Sequence, residues 1–255
     1  MGPGTDSTRH DVGRAAVGWL AGAIDALLAD RCLACGDAVA RASARPWREP
    51  AGWCVDCAGR VVPLGEAFCL DCSGGAGRRR CGRREHLRLT AAVQYGEEVA
   101  ALVGAVKYRR MPEVLAVWGE AWVAARAAAG RMPPEAVDLL VPVPAHAARV
   151  RERGLDVAGE WAARLGALEG VPVARALTRR RATPPQVGRD RQRRSRNVAG
   201  AFVPGPGAAV AAGRRVALVD DVVTTGATLG ECAAVLRALG ALEVRGWSLA
   251  YEPLE

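Results

Sequence analysis

The segment VALVDDVVTTGAT, Val216 to Thr228, decides how this chain is read. An apolar strand runs into two adjacent acids, Asp220 and Asp221. Two valines follow, then Thr224, Thr225 and Gly226, and then Ala227 and Thr228 open an apolar, helix-forming stretch. A strand that ends in carboxylates, a loop of small hydroxyl residues and a helix start together form a holder for a phosphorylated sugar. Loop amides and the positive end of the helix face an anion. Thr224, Thr225 and Thr228 add hydroxyl donors, and Gly226 lets the backbone approach without a Cβ in the way. Asp220 and Asp221 stand where ribose hydroxyls, or a magnesium ion bridging to them, need acceptors. An Asp pair at the end of a buried strand can also simply cap the next helix. Two acids, three threonines and a glycine in so short a stretch favour the sugar-phosphate reading.

The same stretch resembles the 5-phosphoribosyl 1-pyrophosphate (PRPP) signature of type I phosphoribosyltransferases. The resemblance implies that Asp220 and Asp221 hold the ribose hydroxyls and are the catalytic carboxylates, stabilising the positive charge that develops on the sugar. It implies that Thr224, Thr225, Gly226, Ala227 and Thr228 hold the 5′-phosphate. Spacing by itself establishes only that an anion and a hydroxyl-rich ligand fit.

The chain has 255 residues, half of them hydrophobic, which suits one medium α/β domain with a small appendage. No apolar run reaches the length of a membrane span. The N-terminus lacks a basic start followed by an apolar core and a cleavage site. It reads as an amphipathic docking helix from about Val12 to Ala29, broken in polarity by Asp25. A cytoplasmic protein is expected. The formal charge is +8, and the tract Arg175–Arg196 carries nine Arg and one Asp, so the remainder is near neutral. A segment this basic is an anion-binding surface, a nucleic-acid contact or a disordered loop. Arg outnumbers Lys by 34 to one, which singles out Lys107.

Seven of the eight cysteines lie between positions 32 and 81. They form Cys32-x2-Cys35, Cys54-x2-Cys57 and Cys69-x2-Cys72, followed by Cys81. Each Cys-x2-Cys is a knuckle that presents two thiolates, and two knuckles complete a tetrahedral zinc site. The first two pairs, separated by 18 residues, have zinc-ribbon spacing and predict a structural Zn²⁺ site. Cys69, Cys72 and Cys81 supply three ligands of a second site, with His86 as the nearest fourth or as an ordinary surface residue. Cys232 reads as a small buried residue.

Beyond the ribbons, strands are expected over Leu87–Gln94, Asp138–Val143, Val171–Ala174, Phe202–Val203, Arg215–Val219 and Val244–Ala250. Helices are expected over Glu97–Tyr108, Glu113–Ala129, His146–Leu168 and Thr228–Leu239. The arginine tract reads as a loop with a short hairpin. This alternation predicts an α/β fold, a mostly parallel sheet with helices on both faces, whose ligands sit at the carboxyl ends of the strands. The expected division is a docking helix over 1–31, a double zinc ribbon over 32–86 and the sheet domain over 87–255.

Three further segments point to the same site. PVPAHAARVRERGLD, from Pro142, reads as a pyrophosphate loop around Pro144 with Arg149, Arg151 and Arg153 behind it, or as a solvated basic helix face. TRRRATPPQVGRDRQRRSRNVAGAF, from Thr178, reads as a loop over a polyanion or DNA using Arg179, Arg181, Gln186, Arg191, Arg193, Arg194 and Asn197, or as a disordered basic loop. AVKYRR carries Lys107, a compact ammonium for phosphate oxygens. Trp47, Trp53, Phe68 and Tyr108 are available to stack bases or to fill a core.

In this order the motifs resemble the ComF family: double zinc ribbon plus phosphoribosyltransferase-like proteins linked to DNA uptake in competence. Where that family usually continues Arg-Gly with Phe-Asn-Gln, this chain has Leu155-Asp156-Val157 after Gly154. The resemblance implies a type I phosphoribosyltransferase-like fold that binds PRPP with Mg²⁺. It also implies a role in handling single-stranded DNA alongside the DNA-uptake helicase machinery. The alternative is an active phosphoribosyltransferase moving ribose 5-phosphate from PRPP to an acceptor that no residue identifies.

Overall fold

Two short strands, β1 (Asp30–Arg31) and β2 (Ala38–Val39), pair antiparallel around the first Cys-x2-Cys turn. The computed structural model describes residues 30–39, 52–65, 67–70, 86–129, 136–181 and 198–253. Helix α1 (Val55–Arg60) begins inside the second Cys-x2-Cys, with Cys54 as its N-cap. Strand β3 (Ala67–Cys69) and strand β4 (Arg88–Gln94) follow. Helix α2 (Glu97–Tyr108) matches its predicted bounds, with Gly96 as N-cap and Val99, Leu102, Val103 and Val106 on its buried stripe. A 3-10 turn over Pro112–Val114 leads into α3 (Leu115–Ala128). Strand β5 (Leu139–Pro142) is fully buried.

The single helix expected over His146–Leu168 is two. Helix α4 (Ala147–Arg153) stops at Gly154, whose left-handed backbone (φ 72°) suits a residue without Cβ. Helix α5 (Val157–Glu169) starts afresh from Asp156, which accepts from the Gly159 amide at 3.4 Å. Asp156 also pairs with Arg175 at 2.6 Å, so the acid in the Leu-Asp-Val variant serves as a helix cap and an ion-pair partner. The strand expected over Val171–Ala174 is reduced to one parallel bridge between Val173 and Leu140. A short antiparallel pair, β6 (Leu177–Arg179) and β7 (Phe202–Pro204), brackets the arginine tract. After a 3-10 turn over Ala208–Ala211 come β8 (Arg215–Val223), α6 (Ala227–Ala238) and β9 (Glu243–Tyr251).

The main sheet runs β3-β4-β9-β8-β5. Strands β4, β9, β8 and β5 are mutually parallel, and β3 is an antiparallel edge. Successive side chains of β8 face opposite sides, as strand geometry requires. Ala217 and Val219 join a core with α2, α3 and α5, whereas Val216 and Leu218 pack with α6 and the β6–β7 pair. Helices therefore cover both faces, the arrangement expected of a parallel sheet. On the first face four tryptophans meet. Trp118 stands edge-on to Trp161 with centroids 5.7 Å apart, and Trp122 lies 5.2 Å from Trp247. Each is essentially buried, and truncating such a ring costs about 3–5 kcal/mol. The Trp122 indole donates to Glu169, which also faces Arg126, so the buried carboxylate is partnered.

The docking helix over Val12–Ala29, Trp47, Cys72, Cys81, Gln186, Arg191, Arg193, Arg194 and Asn197 lie outside the described residues. Among the described residues no helix is long and apolar enough to cross a membrane.

Candidate functional site

Strand β8 does not end before the acids. It continues through Asp220 and Asp221 to Val223 because β9 pairs alongside, Asp220 opposite Ser248 and Val223 opposite Tyr251. Consecutive positions in a strand point to opposite faces, so the two carboxylates meet different surroundings. Asp221 is buried and receives the Lys107 ammonium at 2.6 Å. Asp220 accepts from the Asp221 amide at 2.9 Å. Burial of its carboxyl, with the Asp221 charge beside it, pushes the Asp220 pKa up to about 7. Burial alone would lower the pKa of Lys107, but the charge of Asp221 and the hydrogen bond to it outweigh that and hold it above its ordinary value.

The chain then turns. Gly226 adopts a left-handed backbone (φ 75°) as N-cap of α6, and Thr225 Oγ1 accepts from the Ala227 amide at 3.3 Å. A Cβ at Gly226 would lie 2.8 Å from Leu70 Cδ1, so the residue after β3 seats directly on this turn. Thr224, Thr225, Gly226, Ala227 and Thr228 thus form one turn at the positive end of a helix, immediately past the acids. The sequence predicted this stretch; it carried no sign that Leu70 would pack on it.

Two cavities flank the carboxyl end of the sheet. One, of about 510 Å³, has Pro144, Val150, Leu177, Thr178 and Arg179 in its lining. The other, of about 480 Å³, is lined by Lys107, Tyr108, Arg110, Arg149, Glu152 and Arg153. Pro144 and Arg153 therefore sit in neighbouring cavities. Lys107 is the link between the second cavity and the acids, which themselves line neither. Arg179 lies 5.3 Å over the Phe202 ring, and burial lowers its pKa. Arg181 donates to the Ala199 carbonyl at 2.8 Å, tying together the two ends of the arginine tract. Of the residues offered as base stackers, Trp53 is buried, and its indole donates to the Glu98 carbonyl at 3.0 Å. Tyr108 is 74% exposed. Arg110, just after α2, takes a left-handed backbone (φ 55°), which costs a non-glycine residue about 1 kcal/mol or more.

The first cysteine site forms as its spacing predicts. The sulfurs of Cys32, Cys35, Cys54 and Cys57 all lie within 4.8 Å of one another. Thiolates around one zinc, each about 2.3 Å from it, stand about 3.8 Å apart; Cys35 and Cys54 are 3.6 Å apart. Burial raises the pKa of Cys32, but the Cys35, Cys54 and Ala34 amides outweigh this and bring it down to about 6. Four soft ligands at this spacing fit zinc. For the second site, Cys69 Sγ lies 3.5 Å from His86 Nδ1, so the structure brings together two of its four predicted ligands.

The first cluster docks on the start of α2. Trp53 and Arg60 both engage Glu98, while Lys107 leaves the other end of the same helix toward Asp221.

No family model matches the sequence. The chain is 36% identical over 118 residues to competence protein F of Haemophilus influenzae, a match spanning 46% of this chain and half of that protein. It is 30% identical over 214 residues to DNA utilization protein YhgH of Salmonella typhi, spanning 78% of this chain and 89% of the relative. Among solved structures, glutamine PRPP amidotransferase from B. subtilis, complexed with ADP and GMP, is 23% identical. That match covers 46% of this chain and 23% of the amidotransferase chain, with a TM-score of 0.32. The allosteric regulatory enzyme of purine biosynthesis is 22% identical over 47% of this chain and 23% of its own, with a TM-score of 0.31.

Proposed function

The chain belongs to the ComF family, and from that premise we propose that it binds PRPP at the end of β8 and serves single-stranded DNA handling during DNA uptake. One observation carries the reading: two acids, a threonine-glycine turn and a helix start follow one another at the carboxyl edge of a parallel sheet, joined through Lys107 to a cationic cleft. In this reading Thr224, Thr225, Gly226, Ala227 and Thr228 take the 5′-phosphate on backbone amides and hydroxyls. Asp220 and Asp221 take the ribose hydroxyls. Lys107, Arg153 and the segment at Pro144 take the diphosphate. Asp220 and Asp221 would hold magnesium together with PRPP, and the ion would supply charge neutralisation. A ligand of this kind competes with the contact that Lys107 already makes to Asp221.

The relatives' names, a competence protein and a DNA utilization protein, support the biological role. The basic tract with Arg179, Arg181, Gln186, Arg191, Arg193, Arg194 and Asn197 offers phosphate contacts, and helicase components of DNA uptake are the expected protein partners, in the cytoplasm. The cysteine cluster is a closed, structural zinc site, with Cys69, Cys72, Cys81 and His86 as a second. An active phosphoribosyltransferase is the second reading. The cavity of about 510 Å³ beside the β6–β7 pair favours it, because it offers an acceptor room beside Pro144.

Thermal unfolding tests the binding claim. PRPP with Mg²⁺ raises Tm in the wild type, by an amount equivalent to about 2.7 kcal/mol at a hundredfold excess over Kd. The shift disappears in Asp221→Asn. An unchanged wild-type Tm refutes PRPP binding. Pyrophosphate release from PRPP on adding candidate nucleobase or amine acceptors separates the enzyme from the binding protein.

A further inference from the structure

One exposed aromatic ring and four cationic side chains meet in the cleft between the end of α2 and α4. Lys107, Tyr108 and Arg110 come from one side, and Arg149, Glu152 and Arg153 from the other. Tyr108 is 74% exposed, although it ends a helix whose other large apolar residues are buried. The Arg153 guanidinium lies 5.5 Å from its ring centroid, a cation–π contact within the cleft lining. Arg110 occupies a left-handed backbone position (φ 55°) where glycine is the low-cost residue, and its side chain lines the same cleft.

PRPP does not account for this arrangement. It carries no base, and the residues assigned to it reach the cleft only through Lys107 and Arg153. An exposed ring bordered by arginines is what proteins that hold single strands present: a π-face for a base and cations for the flanking phosphates.

We propose that this cleft seats one nucleotide of single-stranded DNA, its base on the Tyr108 ring and its phosphates against Arg110 and Arg149. The inference rests on the DNA-handling role and gives it an address distinct from the arginine tract.

The test is fluorescence anisotropy of a labelled oligothymidylate of about ten nucleotides, within the range of single-strand site sizes, with the full-length protein at low salt. Tyr108→Ala weakens binding roughly tenfold, the loss expected for one stacked base. Tyr108→Trp restores it, because any π-face serves. Arg110→Gln weakens binding and lowers the salt slope by about one. The Tm of Tyr108→Ala without ligand stays close to that of the wild type, showing that the variant is folded.

Wild-type affinity in Tyr108→Ala overturns the proposal while leaving the DNA-handling role standing. A wild type that ignores the oligonucleotide defeats both, with PRPP binding still judged by its own Tm shift. Thymidine monophosphate competing as well as the oligonucleotide also overturns it, because the cleft would then be a mononucleotide site.

Discussion

The cysteine cluster and the acid–threonine turn are both gathered by two segments of chain, yet they are left in opposite states. At the first, four thiols converge, all within 4.8 Å of one another, a spacing that fits ligands around one cation. At the second, Asp221 already has its cation in Lys107. The first arrangement offers four soft ligands that fit one metal ion. The second is satisfied within the protein, by the Lys107 ammonium on Asp221. Helix α2 connects them: Glu98 near its start is gripped by Trp53 and Arg60 from the cysteine module, and Lys107 near its end reaches the acid. Nine residues separate those two positions, about 13–14 Å along a helix.

The largest expected effect is on the cysteine site. Removing zinc with a chelator, or Cys54→Ser, unfolds the region around Cys32 and Cys57, because structural zinc sites contribute on the order of 10 kcal/mol to the folding of their modules. Elemental analysis then finds zinc in the wild type and a deficit in the variant, with a lowered Tm. Folded wild-type protein without zinc contradicts a structural metal site at these cysteines.

Next comes the self-satisfied site. Lys107→Met leaves the Asp221 carboxylate buried without its counter-ion, and urea denaturation at neutral pH shows a loss of about 3–5 kcal/mol. The double variant Lys107→Met, Asp221→Asn recovers most of that loss, because the stranded charge is gone. A single variant as stable as the wild type contradicts the internal pairing.

Asp220 sharpens the contrast through pH. Its pKa is about 7 in the folded protein against an ordinary 3.8, so between those values the folded state holds the proton more tightly than the unfolded chain. Stability from this group is therefore full below about pH 4 and falls as pH rises toward about 7. In Asp220→Asn that segment of the pH–stability profile flattens; an unchanged slope contradicts the burial of this carboxyl. The smallest effect is at the turn. Gly226→Ala forces a Cβ into the left-handed backbone and displaces Leu70, costing about 1–2 kcal/mol in urea denaturation. Unaltered stability shows that the turn is not held as described.

Local signals were readable from sequence, and pairing across the fold was not. Helix α2 was bounded correctly because Gly96 and its apolar spacing are local facts. The break between α4 and α5 was also written locally, in Gly154 and Asp156, although the span reads as one helix. Strand β8 outran its expected end at Val219 because β9 supplies hydrogen bonds past the acids, a tertiary effect that outweighs the poor strand propensity of Asp. The cysteine knuckle was legible from spacing alone. The partner of Lys107 was not: its rarity drew attention to it, but only the packing of α2 across the sheet brings it to Asp221. Tyr108 could have been core or surface, and the end of α2 decides for surface.

The measurement that bears most directly on the acid–threonine turn is calorimetric titration of zinc-loaded protein with PRPP and Mg²⁺, for the wild type and Asp221→Asn. Saturable heat in the wild type, lost in Asp221→Asn and not reproduced by pyrophosphate alone, is the predicted result. No heat in the wild type, or equal heat in both proteins, contradicts the sugar-phosphate site.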